Sequence, residues 1–172
     1  MESEGYRDQA LWSVAGRQWL DAAKATAPLQ WRPDEGGRWY AVGINRPSDL
    51  PPDEPVCGVY QREATPFAAW VAALGGAILQ HEYQWEVAAR SGLIEHIGKV
   101  WEWCANSFHP YPEFAPFPDA TVSQPFFGGD QISLRGAGLH TQPCLRRASL
   151  RNWSAAHALD GFAGIRLVLP PG

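Results

Sequence analysis

Arg135, His140, Arg147, Arg151 and His157 fall in one turn-rich stretch late in the chain. A guanidinium presents a planar fork that matches a carboxylate, and an imidazole adds a hydrogen-bonding nitrogen. Brought together on loops, these side chains would hold a small anion or zwitterion such as an amino acid. Phe126, Phe127 and Trp153, from the same region, would supply the apolar wall that such a pocket needs. A competing role for the arginines is to tie loops together through buried backbone carbonyls.

Metal and thiol chemistry find less support. His81, His96, His109, His140 and His157 show no ligand spacing, and no self-contained metal site is expected from them. Cys57, Cys104 and Cys144 form no CxxC pair and no zinc pattern, so they read as free, buried thiols in a reducing compartment.

Composition narrows the setting. The chain has 172 residues, a length that suits one domain with a real core. Hydrophobic residues make up 45% and charged residues 19%, a globular balance. The net charge of −4 argues against nucleic acid as a partner. No apolar run reaches the roughly 20 residues of a membrane helix, and the polar, acidic first residues do not read as a signal peptide. The expected setting is the cytoplasm, without a membrane partner. The 15 prolines and 17 glycines call for a loop-rich fold.

Three helices are expected to carry the frame. Residues 8–25 repeat apolar positions at Leu11, Val14, Ala15, Trp19 and Ala22, with Asp8 as a cap. A second helix over 64–74 would bury a stripe of Phe67, Trp70, Val71 and Leu74, stopped by Gly75-Gly76. A third over 81–90 would use Tyr83, Trp85 and Val87 for packing. Short strands are expected at 39–42, 100–103, 132–135 and 165–169. In Trp101-Glu102-Trp103 the alternation makes a core strand and leaves Glu102 to bond backbone or an arginine.

Four segments carry a resemblance. His81-Glu-Tyr-Gln-Trp-Glu-Val-Ala-Ala-Arg90 is similar to the "EAEWEYAAR" helix of the formylglycine-generating-enzyme (sulfatase-modifying) family. Gly98-Lys-Val-Trp-Glu-Trp103 resembles its "GNVWEW", Leu134-Arg-Gly-Ala-Gly138 its "LRGGS", and Phe162-Ala-Gly-Ile-Arg166 its "FAGFR". Only Ser91 to Ile97 separates the first two, where formylglycine-generating enzymes carry a long insert. Phe108-His-Pro-Tyr-Pro-Glu-Phe114, Phe117-Pro118 and Ser149-Leu-Arg-Asn-Trp153 resemble elements of the C-terminal domains of ergothioneine- and selenoneine-type synthases.

The resemblance implies an α+β, formylglycine-generating-enzyme-like (C-type-lectin-like) fold, loop-rich with few short strands and two or three helices. Residues 55–172 would form that domain, with 1–54 as a lead-in helix and turn-rich segment packed on it. It also implies a catalytic phenol at Tyr111 and a substrate cleft drawing on Arg135, His140, Arg147, Arg151, Asn152, Trp153, His157 and Asp160. The substrate would be a small zwitterionic or anionic thiol or selenol. No cofactor is expected on this chain itself. Non-haem Fe(II) would come with a partner helical bundle (DinB-like), which supplies three histidines in the synthases. Lys99 stands where the family places an asparagine beside structural calcium, so no calcium is expected there. Only Cys144 follows the "LRGGS" segment, where the formylglycine-generating chemistry uses a cysteine pair. The stretch 154–160 also lacks the tyrosine and arginines usual in the synthases. Two readings stay open: the substrate-binding part of a C–S or C–Se bond-forming, oxidoreductase-type synthase, or a ligand-binding pseudoenzyme of the same fold.

Overall fold

The computed structural model describes residues 5–42, 47–122, 124–158 and 161–169. The expected first helix is divided in two. Asp8 accepts the Ala10 amide and caps a short 3-10 turn, Gln9–Leu11. Ser13 then caps α1 (Val14–Ala23) by accepting the Gly16 amide at 3.1 Å. Trp12, the buried residue at this break, stacks on Trp19. A small antiparallel sheet follows, β1 (Trp31–Pro33), β2 (Trp39–Val42) and β3 (Pro47–Ser48).

The second helix, α2 (Gln61–Ala73), starts three residues earlier than its apolar pattern predicts. Glu63 explains this, because its carboxylate reaches back to the Tyr60 amide at 2.7 Å and satisfies an orphan donor of the first turn. The buried face is also different from the expected stripe. Ala64 and Ala68 lie in the core, whereas Phe67 is 44% and Leu74 69% exposed. Small side chains let α2 sit close to the sheet, and the large ones turn outward.

The third helix, α3 (Glu82–Arg90), is capped by His81, whose Nδ1 accepts the Tyr83 amide while Gln84 accepts the His81 amide. Of the three expected packing residues, only Trp85 is buried; Val87 is 66% exposed. Charged neighbours, rather than an apolar stripe, hold this helix down.

The main sheet has the order β7 (Asn152–Ala155), β6 (Gln131–Arg135), β5 (Trp101–Ser107), β8 (Ala163–Gly164). β5 is antiparallel to β6 and parallel to β8, and β6 is antiparallel to β7. The expected last strand over 165–169 is shorter, β9 (Leu167–Val168), and pairs with β4 (Ile78–Leu79) rather than with this sheet; β8 lies just before it in the chain. Leu79, Trp103, Leu134 and Ala163 meet Ala64 and Ala68 in the core. Among the described residues, no helix is long and apolar enough to cross a membrane.

A buried acid ties the layers together. Glu102 on β5 accepts hydrogen bonds from Gln80, Trp85 and both Nε and Nη2 of Arg166. The expected bond to an arginine is thus to Arg166 of the closing segment. Gly136 follows β6 with φ +95, and a Cβ there would press on the Glu102 carboxylate and the Val100 carbonyl. Lys99, half-buried, pairs with Glu54 at 3.0 Å. Of the three free cysteines only Cys104 is buried; Cys57 is partly exposed and Cys144 is exposed. Cys144 departs from the expected buried thiols because it sits in a surface 3-10 turn, Pro143–Leu145.

Candidate functional site

Glu82 and Glu86 stand one turn apart on α3, so both carboxylates face the same side. Glu82 points into the sheet. Its Oε1 accepts from Asn106 at 2.8 Å, Ser133 at 3.0 Å and Arg151 Nη2 at 2.8 Å, and its Oε2 from Arg151 Nε at 2.7 Å. Burial alone would raise this carboxyl, but the bonds and charge of Arg151, with Asn106 and Ser133, hold it below the ordinary carboxylate range. Glu86 lies nearer the surface. It accepts from Tyr111 Oη at 2.7 Å, Arg135 Nη2 at 2.8 Å and Arg90. Its carboxyl is likewise lowered, because Tyr111, Arg90 and Arg135 outweigh the burial that opposes them.

Arg135 is fully buried at the end of β6. Its guanidinium lies over the Trp85 ring at 5.0 Å, bonds Glu86 and the Ala148 carbonyl, and donates to the Tyr111 oxygen at 3.3 Å. Tyr111 therefore sits between a carboxylate that accepts its hydrogen bond and a guanidinium that donates to its oxygen. Burial and the bond to Glu86 push its phenol up to about 12, against the opposing charges of Arg135 and Arg151.

Arg151 continues this arrangement as a stack. Its guanidinium carbon is 4.2 Å from the Tyr111 ring centre and 4.5 Å from that of Phe108. Phe108 stacks on Trp153 at 4.6 Å, and Trp153 on Phe126 at 4.9 Å. Phe127 packs on Phe108. One layered column thus runs Tyr111–Arg151–Phe108–Trp153–Phe126. Asn152 is beside it on β7, paired with Leu134 of β6.

At the rim, the Tyr83 phenol is 3.2 Å from His109 Nε2, and His109 Nδ1 is 2.7 Å from the Ser107 carbonyl. Only an N–H can bond that carbonyl, so in the neutral ring Nδ1 carries the proton and Nε2 accepts from Tyr83. The His81 ring packs at 4.7 Å from Tyr83, and Tyr83 at 5.5 Å from Tyr111.

The structure thus brings Tyr111, Arg135, Arg151, Asn152 and Trp153 into one region. His140 is exposed and meets Phe162 edge-on at 4.6 Å. Arg147 and His157 are exposed and, among the described residues, do not join the network around Tyr111. Asp160 lies outside the described residues. Glu82, Glu86 and His109 also belong to this region and were not among the expected cleft residues. The signal for the two acids was their spacing of four on a helix that also carries Trp85.

The chain matches the family described as sulfatase-modifying factor enzyme 1-like domain over residues 1–96 and 90–170. It is 31% identical to hercynine oxygenase of Mycobacterium tuberculosis, over 97% of this chain and 48% of that protein. Identity to hercynine oxygenase of Mycolicibacterium thermoresistibile is 31%, over 97% of this chain and 46% of that protein. The chain spans about half the length of these curated relatives. A solved structure, PvdO from Pseudomonas aeruginosa, shares the fold at 18% identity, with a TM-score of 0.53 over 89% of this chain and 76% of that one. With the "WEW" strand on the main sheet, the "LRG" turn against Glu102 and the closing "FAGIR" segment paired back on β5, the chain belongs to the sulfatase-modifying factor enzyme 1-like family and has its formylglycine-generating-enzyme-like α+β fold.

Proposed function

We propose that this chain is the substrate-side domain of an oxygenase of ergothioneine-type biosynthesis, which joins sulfur or selenium to carbon on a histidine-derived betaine together with an iron-bearing helical bundle. The observation that carries this reading is the similarity to hercynine oxygenases along 97% of the chain. The column from Tyr111 to Trp153 supports it, since a protonated phenol beside a flat aromatic wall suits a small heteroaromatic substrate.

Iron(II), when bound, supplies the activation of oxygen in this scheme. The described residues of this chain do not fit as its ligands. Among the described residues, no three His, Cys, Asp or Glu side chains are grouped to hold a metal, and both nitrogens of His109 already have partners. The proposal therefore assigns the metal to the bundle. On this side, Tyr111 holds a proton at neutral pH and directs it to Glu86, and Arg135 fixes the phenol oxygen from the other side. A substrate that draws the phenol away from Glu86 receives a positioned hydrogen-bond donor. The thiol or selenol partner is a small zwitterion or anion.

A second reading, a binding domain without catalysis, is favoured by one feature: the guanidinium groups of Arg135 and Arg151 are already committed to Glu86 and Glu82. The test mixes the chain with an iron-loaded bundle, hercynine, oxygen and, in turn, cysteine, γ-glutamylcysteine and a selenosugar, and follows product by mass spectrometry. Product that disappears in Tyr111→Phe supports the first reading. Calorimetric binding without product supports the second, and the absence of both removes both.

A further inference from the structure

Away from Tyr111, a cavity of about 390 Å³, partly open to solvent, lies between the lead-in segment and α2 and shares no residue with the column described above. Five aromatic rings line it: Tyr6, Trp12, Trp31, Phe67 and Trp70. Ring faces carry negative electrostatic potential and attract cations. Glu63 also lines the cavity, although it is only 5% exposed. Its Oε2 accepts the Tyr60 amide at 2.7 Å, and its Oε1 accepts the Tyr6 phenol.

Both donors are neutral. Among the described residues no lysine, arginine or histidine shares an ion pair with Glu63, and none lines the cavity. Buried carboxylates ordinarily have a charged partner. Among the described residues, the other three buried or partly buried acids follow that rule: Glu82 has Arg151, Glu86 has Arg135 and Glu102 has Arg166. Glu63 is the exception, and it faces open space walled by aromatic rings. Burial accordingly pushes its carboxyl up, more than the bonds from Tyr6 and Tyr60 lower it.

We propose that this cavity binds a hydrophobic organic cation of the quaternary-ammonium type, with its charge against the aromatic rings and beside Glu63. The alkylated form follows from the hydrogen bonds. Glu63 already accepts two hydrogen bonds of the roughly four a carboxylate can take, so it cannot satisfy all three N–H groups of a primary ammonium, whereas a quaternary nitrogen needs none. The ligand also lacks an acidic group, because among the described residues no cationic side chain lines the cavity to receive one. This separates the cavity from any site for a zwitterionic substrate.

The test follows tryptophan fluorescence and calorimetry of the chain with choline, phenyltrimethylammonium, glycine betaine and 3,3-dimethylbutan-1-ol, the uncharged analogue of choline. Choline and phenyltrimethylammonium should bind saturably and quench fluorescence. The neutral analogue and the betaine should bind about tenfold more weakly or worse, a difference of about 1.4 kcal/mol. Glu63→Gln, which keeps an acceptor for the Tyr60 amide, should erase most of the advantage of choline over its neutral analogue. If that variant fails to fold, the comparison of ligands on the unaltered chain decides. Equal binding of choline and the alcohol overturns the proposal and leaves a merely apolar cavity. So does tighter binding of the betaine, or no saturable binding of either cation at millimolar concentration.

Discussion

Arg151 forms a bidentate pair with Glu82 across 69 residues of sequence, Nε to Oε2 at 2.7 Å and Nη2 to Oε1 at 2.8 Å. Glu82 is fully buried and the Arg151 side chain is 14% exposed. Removing this cation leaves the interior carboxylate with neutral donors, Asn106 and Ser133, and only a longer ion pair to Arg135 at 3.8 Å. Arg151→Ala should therefore cost about 3–5 kcal/mol of stability, measured by urea denaturation. Arg151→Lys should recover only part of this, since an ammonium cannot make the forked contact or the stack on Phe108 and Tyr111. A loss under 1 kcal/mol in the alanine variant would mean that the pair is not a brace.

Acid should weaken the fold through the same helix. The folded-state carboxyls of Glu82 and Glu86 are held below their ordinary values. Such groups stabilise the fold above their unfolded pKa, and this contribution is lost as pH falls through the lower folded values. Stability should drop from weakly acidic pH downward. Glu86→Gln should lower stability near neutrality and flatten the acid slope. An unchanged slope in that variant would remove Glu86 from the titrating set.

Tyr111 should titrate late. Its phenol is raised to about 12 by burial and by its bond to Glu86. Ultraviolet difference titration should show one such tyrosine, absent in Tyr111→Phe and moved to lower pH in Glu86→Gln, where the negative partner is gone and Arg135 remains. Tyr111→Phe itself should cost only about 1 kcal/mol, the net worth of an ordinary hydrogen bond. A step near 10 that disappears in Tyr111→Phe would contradict the geometry.

The thiols should separate by access. Cys144 is exposed, Cys57 partly so, and Cys104 is buried with its thiol pushed up by burial and by Glu82. A disulfide reagent should modify Cys144 quickly, Cys57 slowly and Cys104 only after denaturation. Dithiothreitol should leave the melting temperature unchanged, because all three are free. Rapid modification of Cys104 would show that β5 opens more readily than its burial implies.

Much of the fold was legible because its signals are local or tied to motifs. The Trp101–Trp103 alternation predicts a strand and leaves Glu102 to bond backbone or an arginine; the structure has the strand and, of the two, the arginine. The α2 stripe misled because helical periodicity reports only which residues share a face, not which face meets the sheet; here alanines at 64 and 68 do so. The site was legible only in part. Tyr111, Arg135 and Arg151 were found, but their partners Glu82 and Glu86 come from a helix far away in sequence, and ion pairing across such separations leaves no mark in spacing. His140, Arg147 and His157 looked grouped because they are near in sequence; turns direct such neighbours to different surfaces.

The parallel pairing of Ala163 and Gly164 beside β5, with β9 against β4, has a consequence for synthesis. A Cβ at Gly164 would collide with the Val56 carbonyl, so this late segment passes tightly beneath chain made more than a hundred residues earlier. Arg166 follows at once and neutralises Glu102. A nascent chain that has emerged only through β7 carries Glu102 without its counter-ion and β5 with a bare edge. Emergence of the segment 163–168, rather than of the helices, is then the moment at which the domain can close. Its contacts of long sequence separation also predict slow folding and exposure to aggregation until that point.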